Sequence, residues 1–257
     1  MQIVTLTTDM GQSDYYLGAL KGSILSRCID IQIVDIATHI TPFKLRQGTH
    51  VLRHAYPFYP KGTIHIMNVN SPESKGRMLC VHHHEQYFIF FDNGAITLLF
   101  DTVPPETYLV NEDVSESSNT LFAEGLTNII NAITSGLGLS IIGSRIQQVK
   151  GKSTMMPQYS PGYIKGTVIY FDQYGNAVTN ITRPIYEQCI GDSRIRIEFG
   201  IYEINRLSRH YGEVDEGELL ALFNAEEKLE IALNKYNAAK MLSLKLDTSS
   251  ILVQKAG

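Results

Sequence analysis

The sequence lacks any apolar run approaching the roughly 18 residues that span a bilayer, and its first residues lack a basic-then-apolar leader pattern. A cytoplasmic protein with no membrane partner is expected. Cysteine is scarce: Cys28, Cys80 and Cys189 are far apart and odd in number, so they make neither a disulfide framework nor a zinc site. Neither charge dominates. The 22 Lys and Arg against 26 Asp and Glu give a net charge of -4 over 257 residues, which carries no electrostatic footprint for nucleic acid. The glycine spacing of a dinucleotide loop, the Walker pattern and G-x-S-x-G are all missing. His82-His83-His84 is contiguous, so in a strand its side chains alternate faces and cannot converge on one metal ion; no metal is expected. No repeats or low-complexity segments occur.

What is present is an alternation of short apolar strands and helical stretches. Strands are expected over 2–7, 31–35, 63–70, 78–82 and 86–91. Between the first two, Tyr16, Leu17, Leu20, Ile24 and Leu25 recur at helical spacing. Further helices are expected near 48–55 and in "GLTNIINAITSG", stopped by Gly136 and Gly138. Such alternation predicts an α/β domain over 1–150, a mostly parallel sheet flanked by helices. The stretch 151–162, with two prolines, two glycines and no periodicity, reads as a linker. Beyond it the pattern is β, with Ile195, Ile197 and Phe199 alternating with polar residues. A smaller, barrel-like domain is expected over 163–257, interrupted by one short helix, "EKLEIALNKYNAAKML".

Three stretches could carry chemistry. In "LTTDMG", Asp9 follows a strand at the position where open α/β sheets bind ligands. It can accept hydrogen bonds from a vicinal diol such as that of ribose, or it can simply cap the helix that follows. Gly11 permits a close backbone turn there. In "FDQYGNAVTN", Asp172, Asn176 and Asn180 fall around Gly175 between two β runs, as a ligand contact or as an ordinary hairpin turn. In "LFNAEEKLEIALNKYNAAK", Asn224 reads as a helix N-cap with Glu227 completing a capping box and Asn237 as a C-cap, or either as a residue that holds a base or an amino-acid group.

Taken in order, "LTTDMGQSDYYLGALKG", "IVDIATHITPFKLRQGTHVL", "YPKGTIHIMNV", "FDNGAITLLF", "GTVIYFDQYGNAVTNI" and "LALFNAEEKLEIALNKYNAA" resemble the S-adenosylmethionine (SAM) hydroxide adenosyltransferases, relatives of fluorinase and chlorinase. The resemblance runs nearly end to end. It implies an α/β domain followed by a small β-barrel domain, and attack of water on C5′ of SAM to give adenosine and methionine. SAM would be the substrate, with no cofactor and no metal. Asp9 falls on the aspartate that grips the ribose diol, and Phe43 on an aromatic position against the substrate. Asp172 and Asn176 match a pair at the methionine end, with Tyr174 between them. Asn224, Asn237 and Ala238 match positions at or beside adenine. The resemblance also implies a homotrimer with sites between subunits.

The likeness breaks at the water-activating groups. The hydrolase branch uses an aspartate, an arginine and a histidine. The aspartate opens a "DPGVG"-like loop, where this chain reads "NVNSPESKGR", so Asn70 stands in its place and Arg77 follows where the arginine is expected. The histidine belongs to an "FHGRD"-like run, where this chain has "LFAEGL" and no histidine between Leu121 and Leu126. An amide can hold a water but cannot accept its proton. The tyrosine and serine of the halogenase branch are absent as well. Asn70 and Arg77 are therefore the expected catalytic pair of a slow hydrolase, with a non-catalytic binder of adenosine or SAM as the alternative.

Overall fold

The computed structural model describes residues 1–71, 76–100, 102–110, 119–153 and 155–256, the side chains of 119–122 excepted. The chain divides into two compact units, Met1–Ser153 and Thr154–Gly257. Among the described residues no helix is long and apolar enough to cross a membrane.

Unit 1 is a seven-stranded sheet between two helical layers. Its strands are β1 (Gln2–Thr8), β2 (Ile31–Ala37), β3 (Ile64–Asn68), β4 (Met78–His83), β5 (Gln86–Phe91), β6 (Glu106–Val110) and β7 (Gly143–Arg145), in spatial order β2-β1-β3-β5-β4-β6-β7. The first four run parallel, and β4, β6 and β7 extend the sheet through antiparallel pairs. The period-2 pleat sends alternate residues into opposite layers. Val4, Leu6, Ile64, Ile66, Ile89 and Phe91 pack with α1 (Tyr16–Arg27) and α4 (Asn119–Thr134). Met67, Leu79, Val81, Phe88 and Phe90 pack on the other face with α2 (Leu45–Ala55) and α3 (Ala95–Leu99). The central parallel strands β1, β3 and β5 are covered on both faces, which leaves their carboxyl ends open to a ligand.

The histidine run divides as its alternation requires. His82 stacks on Tyr87 at 4.7 Å and bonds Glu106, while His83 stacks on His84 at 3.9 Å and meets the edge of Phe100. His84 and Glu85, both at positive φ, make the tight turn into β5.

A different histidine sits inside the sheet. His65 on β3 is fully buried, bonded to Thr5 Oγ1 at 2.7 Å and to Gln86, and stacked on Phe88. Burial holds its pKa down at about 4, against the smaller opposing effect of the Gln86 hydrogen bond. The folded state therefore binds fewer protons than the unfolded chain between about pH 4 and the ordinary histidine value of about 6.5. Stability is present above that window and is lost as pH falls through it, by about 3 kcal/mol from this group. Urea unfolding at pH 7 and pH 4.5 checks the loss. A His65→Asn protein, less stable at pH 7, should show a shallower pH slope.

Unit 2 comprises β8 (Gln158–Ser160), β9 (Tyr163–Phe171), β10 (Ala177–Thr182), α5 (Arg183–Cys189), β11 (Ile195–Phe199), β12 (Tyr202–Ile204), β13 (Leu219–Phe223), β14 (Lys228–Leu233), α6 (Ala238–Met241) and β15 (Ser250–Lys255). The strands follow the antiparallel path β12-β11-β15-β9-β10-β14-β13, with β8 on β9, so part of the 151–162 stretch is strand. Past β12, Ser208 donates its N–H to the Ala221 carbonyl of β13 at 2.7 Å and nearly closes the barrel. Ile164, Val168, Ile197, Ile231, Ile251 and Val253 fill the interior.

One expectation is overturned here. "EKLEIALNKYNAAKML" is not a helix: residues 228–233 form β14, paired with both β10 and β13, and only Ala238–Met241 is helical. Leu229 and Ile231 alternate into the barrel core, and that burial decides the conformation. The capping-box reading falls with the helix. Asn224 instead closes the β13–β14 turn, its Oδ1 accepting from the N–H groups of Glu226 and Lys228. Asn237 is not a C-cap either; it is the N-cap of α6, accepting from the Lys240 N–H at 2.8 Å.

Candidate active site

In unit 1 three of the predicted residues, Asp9, Phe43 and Asn70, gather at the carboxyl end of β1. Asp9 does not cap α1, which begins at Tyr16 with no side-chain cap. Its Oδ2 accepts the backbone N–H of Phe43 at 2.9 Å and that of Asn70 at 3.1 Å. Gly11, at φ +70, turns the chain away from the strand. Phe43 and Asn70 are themselves in the left-handed region, at φ 66 and 51, where a non-glycine residue costs on the order of 1 kcal/mol or more. Two strained peptides thus aim their donors at one carboxylate oxygen. Oδ1 has no hydrogen-bond partner among the described residues, which leaves an oriented anionic acceptor at the sheet edge. The Phe43 ring beside it is 73% exposed, a large apolar surface left open to a ligand.

Asn70 and Arg77 are not brought into contact with each other. Arg77 Nη1 lies 3.4 Å from Asp92 Oδ2 in an ion-pair contact, and Nη2 reaches the Gln148 carbonyl. The two residues are linked indirectly through "FDNG". Asp92 holds Arg77, while Asn93 donates Nδ2 to the carbonyls of Val69 and Asn70 at 3.1 and 3.0 Å. Asp92 and Asn93 are site-supporting residues that sequence reading passed over; their signal was the Asp-Asn-Gly turn ahead of α3. Residues 72–75 of the "NVNSPESKGR" loop and the side chains of 121 and 122 in "LFAEGL" lie outside the described residues.

In unit 2 a second group assembles on the β9–β10 turn. Asp172 Oδ1 accepts the N–H groups of Tyr174 and Asn176, and its Oδ2 accepts Asn176 Nδ2 at 2.9 Å. The turn therefore uses the carboxylate without saturating it, because each oxygen offers two lone-pair sites. Asn237 lies directly over Gly175, and Ala239 of α6 donates to the Gly175 carbonyl at 2.8 Å, with Ala238 buried beneath. Asp172, Tyr174, Asn176, Asn237 and Ala238 thus form one cluster, and the Tyr174 ring is 78% exposed. Gly175 has φ +85, and a Cβ there would stand 2.2 Å from the Asn237 amide. Gly175→Ala is expected to lower unfolding stability by about 2–3 kcal/mol, measurable in urea, and to push Asn237 off the turn.

Asn224 lies on the neighbouring β13–β14 hairpin and bonds within it. Its Nδ2 donates to Glu230 Oε2 at 3.2 Å, and Glu230 accepts the Tyr211 hydroxyl at 2.6 Å. Glu230 was missed in the sequence because its segment was read as a helix, and Tyr211, in a separate turn at 211–213, carries no local signal that it meets Glu230.

Two domain models of one family match the chain over residues 4–128 and 166–250, described as the N-terminal and C-terminal domains of SAM hydroxide adenosyltransferase. The chain belongs to the SAM hydroxide adenosyltransferase family. Among relatives, an "(R)-S-adenosyl-L-methionine hydrolase" of Methanocaldococcus jannaschii is 28% identical, covering 95% of this chain and 93% of that protein. A protein of the same name from Thermus thermophilus is 24% identical over 95% of this chain and 97% of its own length. A fluorinase of Actinopolyspora mzabensis matches only 24% of this chain and 21% of its own, at 27% identity. An uncharacterized conserved protein from Thermotoga maritima superposes with a TM-score of 0.80 at 24% identity, covering 99% of this chain and all of its own. That likeness shows the fold alone.

Proposed function

We propose that this member of the family is an adenosine-forming SAM hydrolase. Water attacks C5′, the C5′–S bond breaks, and the sulfonium takes the electron pair to leave as the neutral thioether of methionine. The water's proton goes to solvent. Because the leaving group is already cationic, the protein need supply little acid catalysis. Its task is in-line placement, a dry pocket and orientation of the water. The observation that carries this reading is the Asp9 carboxylate, fixed through one oxygen by Phe43 and Asn70 and without a partner at the other among the described residues. Such a group suits the paired hydroxyls of a ribose. Full-length similarity to two proteins named SAM hydrolase supports the chemistry.

Phe43 would cover the substrate beside Asp9, and Asp172 with Tyr174 and Asn176 would take the methionine end. Asn224, Asn237 and Ala238 would take the adenine. Asn70 would hold the attacking water without accepting its proton, and Arg77 would act from its place on Asp92. Turnover is expected to be slow for that reason. SAM is consumed as substrate with no cofactor, and we place the enzyme in the cytoplasm as a homotrimer with sites between subunits. Incubation of pure protein with SAM, with adenosine followed by chromatography, tests the reaction. No adenosine above a heat-killed control, with SAM binding retained in calorimetry, would instead assign a non-catalytic binder. Sedimentation analysis tests the trimer.

A further inference from the structure

The outer face of the unit 2 barrel carries a buried acid that the proposed reaction does not use. Across β9, β10, β14 and β13 the register aligns Tyr170, Val178, Glu230 and Leu222 in one row. Their neighbours Phe171, Ala177, Ile231 and Ala221 point inward to the barrel core. Glu230 is only 3% exposed, yet no cation pairs with it among the described residues. Its two partners are neutral donors, the Tyr211 hydroxyl and the Asn224 amide. A carboxylate buried in this way is expensive unless its hydrogen bonds serve something. Burial raises its pKa, with Asp172 and Glu226 adding to the rise and the two hydrogen bonds opposing it. Tyr211 and Tyr170 are raised likewise, by burial first and by Asp172 among other causes. Glu230 therefore stands within electrostatic reach of Asp172.

The arithmetic of the Asn224 amide shows what the acid does. Oδ1 accepts two backbone N–H groups, at 3.0 and 3.2 Å, and one of the two Nδ2 hydrogens is given to Glu230. Among the described residues the other N–H has no partner, and the planar amide fixes its direction. We propose that Glu230 is a positioning residue of the nucleoside site: by holding Asn224 from one side and Tyr211 from the other, it presents a single amide donor to a ring-nitrogen acceptor of the purine. This inference rests on the reading of Asn224 as an adenine contact. It goes beyond that reading in naming the residue that sets the contact's direction and the donor-only selectivity that results.

The experiment is calorimetric titration of the full-length protein with adenosine and with its 1-deaza, 3-deaza and 7-deaza analogues. Wild type, Glu230→Leu, Glu230→Gln and Tyr211→Phe are compared. Glu230→Leu is expected to weaken adenosine binding about 10-fold or more, since a directed hydrogen bond is lost. Glu230→Gln, whose carbonyl can still accept from Asn224, should recover to within about 3-fold of wild type. One deaza analogue should bind wild type poorly, and that same analogue should lose little further affinity in Glu230→Leu, because the contact is already gone. A merely structural role would weaken all four ligands by the same factor, and that result overturns the proposal. So does wild-type affinity in a folded Glu230→Leu. If Glu230→Leu does not fold, Tyr211→Phe must show the same analogue-dependent pattern at smaller size, and an analogue-independent loss there overturns the proposal equally. If wild type itself binds neither adenosine nor SAM, the site reading fails along with it.

Discussion

An Asp9→Asn protein is expected to fold normally and to bind SAM or adenosine about 100-fold or more weakly. The asparagine carbonyl can still accept the N–H groups of Phe43 and Asn70, so the loop geometry that depends on Oδ2 is kept. What disappears is the other oxygen, replaced by an NH2 that faces hydroxyl donors with a donor of its own. Hydrogen bonds to a charged group are worth about 1.5–3 kcal/mol each, so losing both from a diol gives that factor or more. Calorimetry with 2′-deoxyadenosine sharpens the comparison. Lacking one of the paired hydroxyls, it should bind wild type weakly and lose less than adenosine does on substitution. Equal affinity of wild type and Asp9→Asn for adenosine, with both proteins melting alike, would remove Asp9 from the site and leave the family fold without its proposed anchor.

Asp9 stands out in the local pattern, whereas Phe43 and Asn70 are named only through the resemblance and their backbone bonds to Asp9 were not foreseen, and the reason is distance along the chain. A strand of Ile, Val and Thr ending in Asp-Met-Gly is a local pattern, and the alternation of strands and helices around it is local too. Phe43 and Asn70 stand 34 and 61 residues away, and nothing near them announces that their peptides will flip to positive φ to serve one carboxylate. The strand expected over 63–70 stops at Asn68 for that same purpose, since the chain must leave the sheet to turn Asn70 toward Asp9. The misread segment after Asn224 has a different cause. Leu229 and Leu233 are four apart, a spacing that suits a helix, while Leu229, Ile231 and Leu233 alternate as a strand requires. The local pattern fits both. Pairing with β10 and β13 settles it, and pairing is a property of the whole barrel. Once the segment is a strand, Glu230 must face away from the core, and its partnership with Asn224 and Tyr211 follows.

Asn70→Asp is the substitution expected to change turnover most. The Asn70 peptide is fixed by its N–H bond to Asp9 and by Asn93 at its carbonyl, so an isosteric aspartate would stand in the same place. The difference is chemical: a carboxylate can take the proton that an amide must leave with the water. A positioned general base is worth about 10²–10⁴ in rate. With no histidine in the 121–126 run the gain should fall at the lower end, about 100-fold in kcat, with KM for SAM little changed. The pH profile supplies the discriminating signature. In Asn70→Asp, kcat should be flat above about pH 5 and fall as the pH drops through the ordinary carboxylate range near 4, because protonation disables the base. Wild type, with an amide there, should show no such limb. A 100-fold gain carrying that limb identifies proton acceptance as the step the natural sequence has weakened. A gain without the limb points instead to electrostatic attraction of the sulfonium. If the variant binds SAM as wild type does and turns it over no faster, a base at this position is not what limits the reaction. The missing histidine then becomes the group to restore.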